Sequence, residues 1–314
     1  MARYALRRCG WTVVQLAVLS VVVFLLTNLL PGDAATVDFN EQAGLDQVAQ
    51  LRVQMGLDRP LSERFVDWTG SLLTGDLGTS LVGGGPVSEV LSRSVGVTAA
   101  LAAITLLLLV PLAVALGLLT GLRAGGRTDR VVSAVTLTLA SVPDFVLALL
   151  LVGVVSLRLG WLPATWVGAD GQWWQRPELF VLPVTVLLAR TVGGLSRQIR
   201  AGTIASLNAG YTVQARRLGV PPARLVLRHV LPGAAVPGVQ ELARTGDQLL
   251  GGVLVTEAVF AIPGTATALV EAVRNRDVPT VQALTLTLAA VACLLNLVAD
   301  LVGRRLAPRT EVLR

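Results

Sequence analysis

The amino-acid sequence predicts an all-α membrane protein of six transmembrane helices with both termini in the cytoplasm. Three observations predict it: an apolar composition, six runs long enough to span a bilayer, and an uneven distribution of arginine. The chain has 314 residues, 53% hydrophobic and 15% charged, with a mean hydropathy of +0.68. A soluble domain carries about a quarter charged residues, so this chain lacks the charge to cover a water-facing surface. Disorder is excluded by the same figures, because disordered chains are poor in apolar residues.

A spanning helix needs about 20 mostly apolar residues. Such runs are Trp11–Leu30, Val97–Leu122, Val131–Leu157, Leu179–Leu195, Thr245–Ile262 (entered from Pro237) and Val278–Ala299. The first, second and last carry no charge. The third contains Asp144, the short fourth contains Arg190, and the fifth contains Asp247 and Glu257. Arg3, Arg7 and Arg8 before the first run resemble the start of a signal peptide. No small-residue cleavage site follows Leu30 and more spans do, so the run is expected to be a permanent first span.

Arginine sets the orientation. With the N-terminus inside, the inner segments hold sixteen Arg against two acids, Asp129 and Glu311, and the outer segments hold eight Arg against thirteen acids. Basic residues concentrate in short cytoplasmic loops, so both termini are expected inside. The pI near 10.7 is then an orientation signal, with anionic lipid as its partner, and not a nucleic-acid footprint.

Residue counts exclude several chemistries. All 26 basic residues are Arg, so there is no GxxxxGK phosphate loop and no Schiff-base lysine. His229 is the single histidine, which leaves no His cluster for a metal. Cys9 and Cys293 have no CxxC partners and are expected to stay unbridged. No catalytic pair, resident metal or cofactor is expected.

The chain divides into residues 1–30, an extracytoplasmic region 31–93, a five-helix region 94–303 and a tail 304–314. In the outer region Asp46–Met55 and Leu61–Leu73 look helical. Gly56 suits the end of the first and Pro60 the start of the second. Gly75–Pro86 reads as irregular, turn-rich chain. A second outer loop, 160–178, carries Trp161, Trp166, Trp173 and Trp174, which suit interfacial anchors or a substrate-contacting surface.

The inner loop, about 196–235, is the most informative. It continues the fourth span through Ile199–Leu207, breaks at Asn208-Ala209-Gly210, and re-forms as a short basic helix, Tyr211–Leu218. Gly219 sits where a helix-ending glycine belongs. Pro221 and Pro222 open a further helix, Ala223–Val230, expected to stop at Leu231-Pro232. A polybasic lipid patch and a docking knob for a cytosolic partner both fit this pattern.

This loop resembles that of the permeases of bacterial binding-protein-dependent ABC importers, whose pattern is E-A-A, three residues, G, nine residues, I-x-L-P. Ala215 matches the second Ala, Gly219 the Gly, and Leu231-Pro232 the close. Tyr211, Arg216, Arg228 and His229 fit the dipeptide/oligopeptide/nickel branch in particular, and Arg217 accompanies Arg216. Further pieces occur in the family's order: Leu30-Pro31-Gly32-Asp33, Gly56–Leu61, Gly75–Ser80, Pro86-Val87, Gly160–Pro163, Glu257 with Phe260 and Pro263-Gly264, Arg276-Asp277 with Pro279, and Asn296 with Asp300. The long loop after the first span marks the B-type subunit. Gly210, Val213, Leu218 and Ala307 depart from the pattern, which bears on the pairing with ATPases.

The resemblance implies a type I ABC importer permease fold in the bacterial cell membrane. It also implies an ATPase-coupling role for the inner loop and a heterodimer with a second permease subunit. Two cytosolic ATP-binding subunits and an extracytoplasmic substrate-binding protein complete the assembly it implies. The implied cargo is di- or oligopeptides or small solutes such as nickel chelates. An ion-driven secondary carrier or channel is the competing class, and it would show internal repeats, which this sequence lacks.

Charged residues within the bilayer are costly and mark pathways by default. The candidates are Asp144, Arg190, Glu241, Arg244, Asp247 and Glu257. Glu241, Arg244 and Asp247 recur at spacing three, on one helical face, and Arg190 and Arg244 lie at similar depth. A structural ion-pair network between the fourth and fifth spans and a polar lining for a zwitterionic peptide both fit.

Overall fold

The computed structural model describes residues 2–29, 59–82, 84–167 and 173–306. Its elements are α1 (Ala2–Leu29), α2 (Leu61–Thr74), α3 (Val87–Leu122), α4 (Arg127–Ser141), α5 (Asp144–Leu151), α6 (Glu178–Asn208), α7 (Gly210–Arg217), α8 (Pro222–Leu225), α9 (Leu231–Phe260), α10 (Thr265–Arg274) and α11 (Val278–Leu306). π-helical turns, Val152–Arg158 and Val226–Val230, follow α5 and α8. One isolated antiparallel bridge joins Thr79 and Pro86. The helix expected at Asp46–Met55 lies outside the described residues. The one expected after Pro60 is α2.

Among the described residues four helices are long and apolar enough to cross a membrane: Arg3–Asn28, Val87–Leu122, Glu178–Asn208 and Val278–Val298. Two broken pairs, Arg127–Ser141 with Asp144–Arg158 and Gly251–Phe260 with Thr265–Arg274, bring the count to six if each is one span. The third expected span is therefore not one straight helix. It bends by 100° between α4 and α5. Pro143 is the cause: the residue before a proline is pushed out of the helical region, and Val142 sits at φ −80, ψ 128.

A second expectation fails for a related reason. Leu231-Pro232 does not end a helix; Pro232 lies in the first turn of α9, where a missing N–H is no loss. The fourth span is longer than its apolar core, because α6 runs on without a break to Asn208.

The chain forms two compact units. The first comprises residues 1–8, 99–262 and 294–314, and the second residues 9–98 and 263–293. In the first unit α6 is the central helix: 72% of its apolar window is buried, against 22% for α3 and α11. Small residues let neighbours approach it, as membrane helices require when apolar contact alone gives no driving force. An ideal Cβ on Gly117 would stand 2.7 Å from Ile199 Cβ, one on Gly121 2.6 Å from Thr203 Cβ, and one on Gly202 2.8 Å from Ala234 Cα. Leu109, Ala113, Val192, Leu195, Ile199 and Ala234 form the resulting core.

In the second unit Phe24, Phe65 and Trp68 stack at centroid separations of 5.2 to 6.0 Å, holding α2 on the end of α1. The stretch after α2 is irregular, with Gly75, Gly78 and Gly84 all at positive φ. Buried Asp277 holds it, accepting from Ser80 Oγ at 2.5 Å, Leu81 N–H at 3.1 Å and Thr280 Oγ1 at 2.6 Å. Cys9 and Cys293 are free thiols.

Candidate functional site

The loop after α6 is built by three local devices. Ala209, at φ −68 and ψ 139, breaks the helix at Asn208. α7 then re-forms and buries Thr212 and Ala215 while exposing Tyr211, Val213, Arg216 and Arg217. Gly219 closes it at φ +78. Its N–H bonds to Arg216 O at 3.1 Å, and that of Val220 to Ala215 O at 3.2 Å. Both bonds satisfy carbonyls that a helix end would otherwise leave open.

Pro221 and Pro222 then start α8, which buries Leu225, and the π-helical turn behind it buries Val230. An open groove of about 550 Å³ is lined by Pro221, Ala223, Arg224, Leu227 and Arg228. Arg216, Arg217, Arg224 and Arg228 are all exposed, and none makes an ion pair among the described residues. His229 is half-buried, and its Nδ1 has no hydrogen-bond partner there. Leu231 and Pro232 belong to the first turn of α9.

Two contacts that spacing does not reveal anchor this loop. Gly233 lies so close to α6 that an ideal Cβ would stand 2.2 Å from Ser206 Oγ and 3.2 Å from the Tyr211 hydroxyl. Asp129, in the first turn of α4, accepts from Arg200 Nε at 2.7 Å and Nη2 at 2.8 Å. It also accepts from Gly125 N–H at 2.9 Å.

Among the described residues, the ion pair found within the spans joins two charges that the sequence spacing does not link. Arg190 Nη1 donates to Asp144 Oδ2 at 2.9 Å, so its partner is on α5 and not on α9. The bend at Pro143 makes this possible, since Asp144 is the first residue of α5. Gly252 of α9 completes the node, its ideal Cβ 3.5 Å from Asp144 Oδ2 and 3.0 Å from Leu187 Cδ2. Glu241 is half-buried, Arg244 exposed and Glu257 fully buried. The Asp247 side chain lies outside the described residues. Of the four tryptophans expected at an interface, Trp166 is instead core: its Nε1 donates to Leu179 O at 3.2 Å and its ring packs on Phe180.

Residues 113–312 match the family described as "Binding-protein-dependent transport system inner membrane component". Residues 1–83 match its N-terminal companion, "Binding-prot-dependent transport system membrane comp, N-term". The chain is 31% identical over 313 residues to the "Probable peptide ABC transporter permease protein y4tP" of Sinorhizobium fredii, covering 98% of this chain and 99% of that one. It is 35% identical over 308 residues to the "Glutathione transport system permease protein GsiC" of Salmonella choleraesuis, and 33% identical to that of Escherichia coli O6:H1, with 98% of each chain covered. The chain belongs to the binding-protein-dependent ABC importer permeases, multi-pass membrane subunits whose ATP hydrolysis takes place in separate subunits.

Proposed function

We propose that this member of the binding-protein-dependent permease family is one of two different membrane subunits of an ATP-driven importer. It forms half of the path by which di- or oligopeptides, or related small solutes such as nickel chelates, cross the bacterial cell membrane. Both termini face the cytoplasm, as the bias of arginine toward one side supports. Two ATP-binding subunits engage α7 and the groove beside it, and an extracytoplasmic binding protein delivers the cargo to the opposite face. ATP binding and cargo delivery then bias one equilibrium between inward- and outward-open states from its two sides.

The observation that carries the coupling role is α7 itself. It stands beyond the end of the most buried span, fixed by Gly219 and by buried Thr212 and Ala215, with Arg216 and Arg217 outward. A rigid knob tied to a central helix can transmit a push. The peptide cargo is supported by the names of the relatives.

Cross-linking tests the docking. With Cys9 and Cys293 replaced by Ala, Arg216→Cys and Leu218→Cys should each cross-link to a co-purified ATP-binding subunit, and buried Thr212→Cys should not. Absence of that product at both exposed positions overturns the assignment.

A further inference from the structure

We infer that Arg190 is a carboxylate anchor in the translocation path, held by Asp144 so that its free edge receives the C-terminal carboxylate of a passing peptide. This deepens the peptide-importer reading and rests on it.

The two members of the pair are buried unequally. The Asp144 side chain is 6% exposed and that of Arg190 45%. The tie between Arg200 and Asp129 engages both Nε and Nη2 of its guanidinium, whereas Arg190 gives Asp144 a single nitrogen. Here the carboxylate is the buried support and the guanidinium is presented outward. A guanidinium carries five N–H donors in a rigid fork. Nη1 is engaged by Asp144, while Nε and Nη2 meet no acceptor among the described residues. That edge suits a second, two-point contact with a carboxylate.

The surroundings say what the outward face meets. Leu187 packs at Gly252 and Gly194 packs at Glu241, so α6 and α9 run antiparallel and Arg190 lies in the same depth band as Arg244 and Gln248. Gln240, Arg244 and Gln248, at spacing four, are all exposed along α9. Lipid does not solvate such a stripe, and polar residues in spanning helices face the bundle interior or a water-filled cavity. Among the described residues, the outward charges at this depth are Arg190 and Arg244, both cationic. The unengaged edge of Arg190 suits an anionic acceptor, and the anionic group common to all unmodified peptides is the terminal carboxylate.

Asp144 is accordingly a positioning residue. It fixes the guanidinium plane and offsets its charge, so that a carboxylate is held loosely enough to leave again.

The test compares trialanine with trialanine amide in proteoliposomes holding the complete importer and its binding protein. Each variant is scored by its acid-to-amide transport ratio divided by that of the wild type, which cancels the discrimination made by the binding protein. Arg190→Gln should lower the ratio by about tenfold, as loss of one charged hydrogen-bonded contact implies. Arg190→Lys, which keeps the charge and loses the fork, should fall between. Asp144→Asn should lower the ratio less than Arg190→Gln, while Thr185→Ala on the same helix leaves it unchanged. An unchanged ratio in an assembled Arg190→Gln or Arg190→Lys complex overturns the anchor. Failure of both to assemble also overturns it, and makes the pair structural. If the wild-type complex transports neither peptide, the peptide reading fails and the anchor falls with it.

Discussion

Arg200 grips Asp129 with two guanidinium nitrogens, at 2.7 and 2.8 Å, across 71 residues of sequence. The contact ties the Gly125 turn and the start of α4 to α6, eight residues before α6 ends. It is a bidentate pair with its carboxylate buried and its guanidinium one-third exposed.

Removing one partner of such a pair leaves the other charge behind, which is worse than removing both. Arg200→Leu should therefore lower the folded fraction surviving mild heating in detergent by several-fold. Adding Asp129→Leu should recover part of the loss. Size-exclusion profiles of the heated protein read this directly. A double variant no better than Arg200→Leu alone would refute the pairing argument.

Asp277 makes a different kind of contact, accepting from Ser80, the Leu81 amide and Thr280 at once. Asp277→Ala leaves three donors without their acceptor, at a cost of about 1–3 kcal/mol each where burial persists. The stretch 78–87 should then open locally, and amide exchange in peptides spanning Leu81 should speed by at least about tenfold. Asp277→Asn keeps one acceptor oxygen and should fall between. Equal exchange in Asp277→Ala and wild type would mean that the loop is held by other contacts.

What was legible in the sequence follows from the range of the forces involved. Charge-free apolar runs such as Val278–Ala299 announce themselves, because a bilayer demands them of any single helix. Gly219 was legible for a local reason as well, since a glycine ahead of two prolines ends one helix and opens another. Pro232 is just as local yet ambiguous: a proline suits the first turn of a helix as well as the residue after its end, and tertiary packing decides between them. Asp144 is a candidate by its place in a span, but its partner is not legible, because the 100° turn at Val142-Pro143 that carries it to Arg190 has no signature beyond the proline. Gly233 against Ser206, and Asp277 against Ser80 across 197 residues, depend on which helices become neighbours. No spacing rule within one segment reports that.

The close approach of Gly233 to Ser206 gives a third prediction. A methyl group at Gly233 would stand 2.2 Å from Ser206 Oγ, while the Ser206 Cβ lies 3.3 Å away. The severe conflict is thus with the Ser206 hydroxyl; the Tyr211 hydroxyl, at 3.2 Å, is tight but nearly as far away as the Ser206 Cβ. Gly233→Ala should destabilise by about 1–3 kcal/mol, as overpacking does. Ser206→Ala should restore most of it in the double variant and cost little by itself. A thermal melt of the four proteins forms the cycle, and additivity of the two changes would exclude the contact as the cause.

The coupling role proposed for α7 gives the fourth. Gly219 is at φ +78, a conformation that costs a side-chain-bearing residue roughly 1–2 kcal/mol and a β-branched one more. Its neighbourhood is otherwise open, with nothing within 4 Å of an ideal Cβ, so the strain within this chain in Gly219→Val comes from the backbone and not from a clash at Cβ. The variant should re-aim α7 while leaving the core around α6 intact. Arg216 is exposed, so Arg216→Glu should preserve the helix and reverse only the charge that it offers to the ATP-binding subunit. In a reconstituted importer both variants should insert, assemble and still bind the loaded binding protein. Stimulation of ATP hydrolysis by that protein should fall at least about tenfold in each, with the basal rate near that of the wild type. Full stimulation in both would remove α7 from the coupling path. Loss of assembly in Gly219→Val with normal behaviour in Arg216→Glu would make the turn a folding element and nothing more.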